Sequence, residues 1–175
     1  MQGDKERKCP FVTADGCSIY EDRPGACRIY PLGRAALKVD NEKDAREKFF
    51  VVGEAHCLGF GEDRQWTLSE WMTHEGVDTY NAMNDRWLEI ITYPKGLGPE
   101  KDVLRKIQMF FVASYNLDKF RELIFNSRFF QRFEVSSIQK KRIASDDMAL
   151  MHFAFDWLKF SLFGEKTMKI RAGTR

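Results

Sequence analysis

Residues 9–31 read CPFVTADGCSIYEDRPGACRIYP, and residues 56–62 read HCLGFGE. These two stretches hold all four cysteines of the 175-residue chain, spaced Cys9-x7-Cys17-x9-Cys27-x29-Cys57. Residues 58–175 contain none. Each cysteine neighbours a turn former: Cys9-Pro10, Gly16-Cys17, Gly25-Ala26-Cys27 and Cys57-Leu58-Gly59. Turns rich in Gly and Pro leave backbone N–H groups free to donate to sulfur, as metal thiolates need. None of the four falls on an evident amphipathic stripe, so inert core thiols are the weaker explanation. Four soft thiolates complete one tetrahedral zinc site or one [4Fe–4S] cube. The expected ligands are therefore Cys9, Cys17, Cys27 and Cys57.

Outward from this segment, Pro and Gly punctuate residues 9–31 too often for a long helix or strand. Pro24 suits the opening of a short helical turn that carries Cys27 and Arg28. Ala36-Leu37-Lys38-Val39 and Phe49-Phe50-Val51-Val52 predict two strands joined by the polar run 40–48. Such a hairpin returns Cys57 to the first three cysteines. Thr67-Leu68-Ser69-Glu70 predicts a capping box. Apolar residues follow at helical spacing (Leu68, Trp71, Met72, Tyr80, Met83, Trp87, Leu88, Ile91), with Gly76 as a point of division. Residues 93–99, Tyr-Pro-Lys-Gly-Leu-Gly-Pro, form the clearest break.

Beyond the break, residues 100–114 place Val103, Leu104, Ile107, Phe110 and Phe111 on one face. Asn116 caps a further helix with Leu117, Phe120, Ile124 and Phe125. Ser145 or Asp146 starts the last, whose stripe is Met151, Ala154, Phe155, Leu158 and Leu162, and Gly164 ends it. The expected fold is α+β and mostly α. A loop-rich, metal-binding region with one β-hairpin (residues 1–95) packs on a C-terminal helical bundle (96–164), followed by a tail (165–175).

Hydrophobic residues make up 43% and charged residues 31% of the chain, the balance of a soluble globular protein. A net charge of +2 excludes a generic polyanion binder. The opening MQGDKERK has no apolar signal-peptide core, and no run approaches the roughly 18 apolar residues of a membrane span. The expectation is a cytoplasmic protein whose thiols stay reduced rather than forming disulfides.

The joint pattern Cys-Pro-Phe, then Cys-x-Ile-Tyr-Glu-x-Arg-Pro-x-x-Cys-Arg-x-Tyr-Pro, resembles the YkgJ-type cysteine-cluster family, a zinc- or iron-chelating domain. It fixes Cys9, Cys17, Tyr20, Arg23, Pro24, Cys27, Arg28 and Pro31 together. Cys57, Gly59 and Gly61 are similar to the family's later Cys-x-Gly-x-Gly. The resemblance covers about residues 9–65 and does not extend over the C-terminal helices. Family members carry a further cysteine segment upstream, of CxxC and CC type, which the eight residues before Cys9 lack. The expectation is either a reduced member or a shortened chain, and upstream cysteines in a longer chain would add ligands.

The resemblance leaves zinc or iron open. Structural zinc sites mostly pin two ligands on a CxxC knuckle, which is absent here, and widely spread ligands suit a larger cube. We read [4Fe–4S] ahead of Zn²⁺. Four thiolates leave either centre dianionic, and Arg23, Arg28 and His56 are expected beside it, offsetting that charge. His56 adjoins Cys57, and neighbouring residues rarely both reach one metal. The expected function is a metal-binding protein with an electron-transfer, redox-sensing or oxidoreductase-linked role. The alternative is a zinc-stabilised interaction module without redox chemistry.

No GxSxG, HExxH, P-loop or GxGxxG motif is present, so the residues assign no reaction. His74 and His152 read as ordinary helix residues. From residue 119 to 142, seven Lys or Arg stand against two Glu, a balance of +5. Five Phe interleave them (Phe120, Phe125, Phe129, Phe130, Phe133) and read as a core face behind a basic solvated face. The expected partner is an acidic protein, or a second copy docking through the aromatic helices. Neither nucleic acid nor membrane is expected.

Overall fold

Asp15-Gly16 turns the chain back within a few residues of Cys9. Gly16 takes φ 110°, a backbone state that disfavours side chains. β1 (Val12–Thr13) and β2 (Gly16–Cys17) pair antiparallel, with Val12 opposite Cys17. The computed structural model describes residues 9–37, 46–55, 57–94 and 96–172. The chain divides into two compact units, Met1–Asp85 and Arg86–Arg175.

In the first unit, Pro24 is the N-cap of α1 (Gly25–Ile29), one position before the helix proper. β3 (Leu32–Leu37) pairs antiparallel with β4 (Arg46–Val51), in register from Leu32 opposite Val51 to Leu37 opposite Arg46. The hairpin therefore starts four residues earlier than the apolar runs predict. Charged partners on the hairpin and at Asp85 admit the polar residues. Arg34 donates to Glu47 at 2.7 Å and, through one nitrogen, to both oxygens of Asp85 at 2.7 and 2.9 Å. Lys38, Val39 and most of the expected polar loop (40–45) lie outside the described residues.

α2 (Leu68–Glu75) begins with the expected capping box: Thr67 Oγ1 accepts from Glu70 N, and the Glu70 carboxylate accepts from Thr67 N at 2.8 Å. Gly76, at φ 61°, ends it in the left-handed conformation that glycine adopts without strain. α3 (Asp78–Ile91) follows. The backbone and side-chain hydrogen bonds from Thr67 hold the Glu70 carboxyl below its ordinary value of 4.5. A carboxyl depressed in the folded state contributes stability that is full above its unfolded pKa and lost as pH falls through the folded one. Thr67→Ala should cost about 1 kcal/mol at neutral pH and flatten this acid limb. Denaturant melts of wild type and variant at several pH values below 5 measure it.

The second unit is helical: α4 (Glu100–Tyr115), α5 (Leu117–Phe125), α6 (Phe129–Arg132), α7 (Ser137–Ser145) and α8 (Asp147–Phe163). Asn116 caps α5 by accepting from Lys119 N, and Asp146 caps α8 by accepting from Ala149 N. α8 is buried on more than one stripe. Leu150, Phe153, Ala154, Phe155, Trp157, Leu158 and Leu162 all lie inside, the pattern of a central helix. Around it close Ala113, Phe120, Ile124, Phe129, Phe133 and Ile143. Phe120, Phe129 and Phe133 thus serve the core. The face expected to be buried on α4 is only partly so: Leu104 is 68% and Phe111 55% exposed, while Ala113 is buried. Phe110 turns toward Trp87, with ring centroids 5.1 Å apart. Among the described residues no helix is long and apolar enough to cross a membrane.

Candidate metal centre

The first unit places the four cysteines on four successive pieces of irregular or short structure. Cys9 precedes β1, and its carbonyl accepts from Val12 N at 3.3 Å. Cys17 ends β2. Cys27 sits in α1, where its N–H donates to Pro24 O at 2.8 Å. Cys57 follows β4, donates its N–H to Glu54 O at 3.0 Å, and caps the 3₁₀ turn Leu58–Gly61. A Cβ at Gly59 would stand 3.9 Å from Cys57 Sγ, so the thiol is closely bordered but not crowded.

All four thiols are free, Cys9 and Cys27 exposed and Cys17 and Cys57 half-buried. Four unpaired, accessible soft donors within one unit fit a zinc ion or an iron–sulfur cluster by their chemistry. Among the described residues, no group of three or more His, Cys, Asp or Glu side chains lies together as a metal site. His56 lies outside the described residues.

Arg23 and Arg28 lace the loop between Cys17 and Cys27 to the end of α2. Arg23 donates to Tyr20 O at 2.7 Å and pairs with the buried Glu75 carboxylate. Its guanidinium lies 4.0 Å from the centre of the Tyr20 ring. Arg28 donates to Arg23 O at 3.2 Å, to Glu75 O at 3.3 Å and to Glu21 O, and faces the Tyr80 ring. Among the described residues these donors go to carbonyls and to Glu75 rather than to a cysteine sulfur. The two arginines hold the thiol-bearing loop in place.

Three further residues bear on the site without having been singled out in the sequence. The Tyr30 hydroxyl donates to Glu54 at 3.1 Å and lines the same cleft as Cys57. Neighbouring Cys57 first, then burial and Glu54, push its pKa well above 10.0 and keep the hydroxyl neutral. Trp71 Nε1 donates to Ile29 O at 3.0 Å, fastening α2 to the end of α1. Glu75 is a buried carboxylate. Tyr30 stands inside the family-like motif at Arg28-Ile29-Tyr30-Pro31, a signal that could have found it. Glu75 has no comparable local mark.

A cleft of about 850 Å³ opens beside Cys57, lined by Tyr30, Phe50, Phe60, Trp66 and Trp71 among others. Arg64 covers the Trp66 ring at 3.6 Å. Cys57 thus borders an apolar, aromatic space.

No curated protein and no solved structure matches the chain. Residues 2–58 match the model of the CxxCxxCC family, described as "Putative zinc- or iron-chelating domain". Over that span, which includes all four cysteines, the chain is similar to a zinc- or iron-chelating domain of the YkgJ type.

Proposed function

We propose that Cys9, Cys17, Cys27 and Cys57 together hold one [4Fe–4S] cluster, and that the protein serves electron transfer or redox sensing. The observation that carries this reading is the set of four free, solvent-reachable thiols in the first unit, all within the matched segment. A [4Fe–4S] cluster supplies reversible one-electron chemistry, whereas zinc supplies none. The reading requires the β1–β2 hairpin, α1 and the Cys57 turn to draw together on metal binding, as folding coupled to metal does. Short elements with exposed thiols permit that movement. Tyr30 stands as a neutral hydroxyl near Cys57, and Arg23 and Arg28 limit how far the Cys17–Cys27 loop strays.

A zinc-stabilised module is the second reading, favoured by the family description itself. Purification without oxygen separates the two. The expected result is a brown protein with a broad visible absorption band, bleached by reduction, with iron and acid-labile sulfide near four per chain. A colourless protein carrying one tightly held zinc and no sulfide would sink the cluster.

A further inference from the structure

A second cavity lies wholly in the helical unit, far along the chain from the cysteines. It is a groove of about 790 Å³ between α4, α6 and α8, within the range of small-molecule sites. The core aromatics Phe129, Phe133 and Trp157 line it together with Phe160. Four cations border it (Arg105, Lys106, Arg128, Arg132), and none of the lining residues is acidic.

These cations are under-partnered. Neither Arg128 nor Arg132 has a carboxylate partner among the described residues, and Arg132 only faces the Phe133 ring at 6.0 Å. Arg105 reaches Asp102 at 3.9 Å, a loose exposed pair. Lys106 Nζ donates to Leu97 O at 2.6 Å and to Leu162 O at 3.0 Å. Its third N–H has no partner among the described residues. A basic surface stretch is usually just a solvated face, but here the charges rim an aromatic groove. We propose that this groove binds a small amphipathic organic anion. Its carboxylate or similar head meets Arg128 and Arg132, and its apolar body lies on Phe129, Phe133, Trp157 and Phe160. Charge complementarity selects an anion, and the aromatic lining selects one with a hydrophobic body.

The test titrates the full chain with decanoate, below its micellar concentration, by calorimetry. Decanol (body without charge), inorganic phosphate (charge without body) and an acidic peptide are run in parallel. The expected result is saturable one-to-one decanoate binding, at least about tenfold tighter than decanol or phosphate. Arg128→Gln/Arg132→Gln should weaken decanoate by at least about tenfold. Both side chains are exposed, so the melting temperature should hold, and circular dichroism checks it. No saturable binding would overturn the proposal, as would equal binding of decanol or an unaffected double variant. Binding of the acidic peptide but not decanoate would overturn it in favour of a protein partner.

Discussion

Replacing any one of Cys9, Cys17, Cys27 or Cys57 with serine should strip the metal and loosen the first unit, while the helical unit melts almost unchanged. A hydroxyl is a hard, weakly acidic donor and a poor substitute for a thiolate. Partners that only orient a ligand already cost roughly 10–100-fold in metal affinity when lost, and a missing ligand should cost more. The first unit is the vulnerable one. Of its described residues, Ile29 and Val77 are the buried hydrophobics, and its short strands have little core beneath them. Binding free energy at such a site is largely folding free energy. Limited proteolysis should open the segment 9–61 in each variant and in chelator-treated wild type. The second unit keeps its core of Phe120, Ile124, Leu150 and Leu158. If Cys9→Ser or Cys57→Ser retained full metal and protease resistance, that cysteine would not be a ligand.

Glu75→Ala should destabilise the first unit by about 3–5 kcal/mol, the usual cost of removing one partner of a buried pair. Arg23 and Glu75 are only 12% and 7% exposed. Truncation leaves the guanidinium largely cut off from water without its counter-charge. The Arg28 bond to the Glu75 carbonyl survives, so the loss falls on the Arg23 arm and on the 3.0 Å contact between His74 Nδ1 and the Glu75 carboxylate. Because Arg23 lies between Cys17 and Cys27, metal affinity should fall with stability. Arg23→Met/Glu75→Leu removes both charges together and should recover most of the stability, though not the tether to Tyr20 O. Chemical denaturation monitored in the first unit measures all three proteins. A loss under about 1 kcal/mol for Glu75→Ala would show the pair to be effectively solvated.

The sequence alone determined whatever depends on a few neighbouring residues. The Thr67–Glu70 box, the Asn116 and Asp146 caps and the stops at Gly76 and Gly164 are readable because capping and left-handed turns are settled within four residues. The four cysteines and the family-like motif are legible for the same reason, as fixed residue types at fixed spacing. Tertiary structure decided what depends on residues distant in the chain. Arg23 finds Glu75 across 52 positions, and Arg34 finds Asp85 across 51. That is why polar residues enter β3 and β4 where an apolar pattern predicts loop.

Helical periodicity also marks a stripe without saying what covers it. Thus α8 is buried beyond its apparent stripe, while Leu104 and Phe111 on α4 stay in solvent. The aromatic groove ringed by Arg105, Arg128 and Arg132 is assembled from three helices. Its residues read along the chain as a basic stretch with a core face, because only packing turns a charge run and a row of phenylalanines into a rimmed cavity.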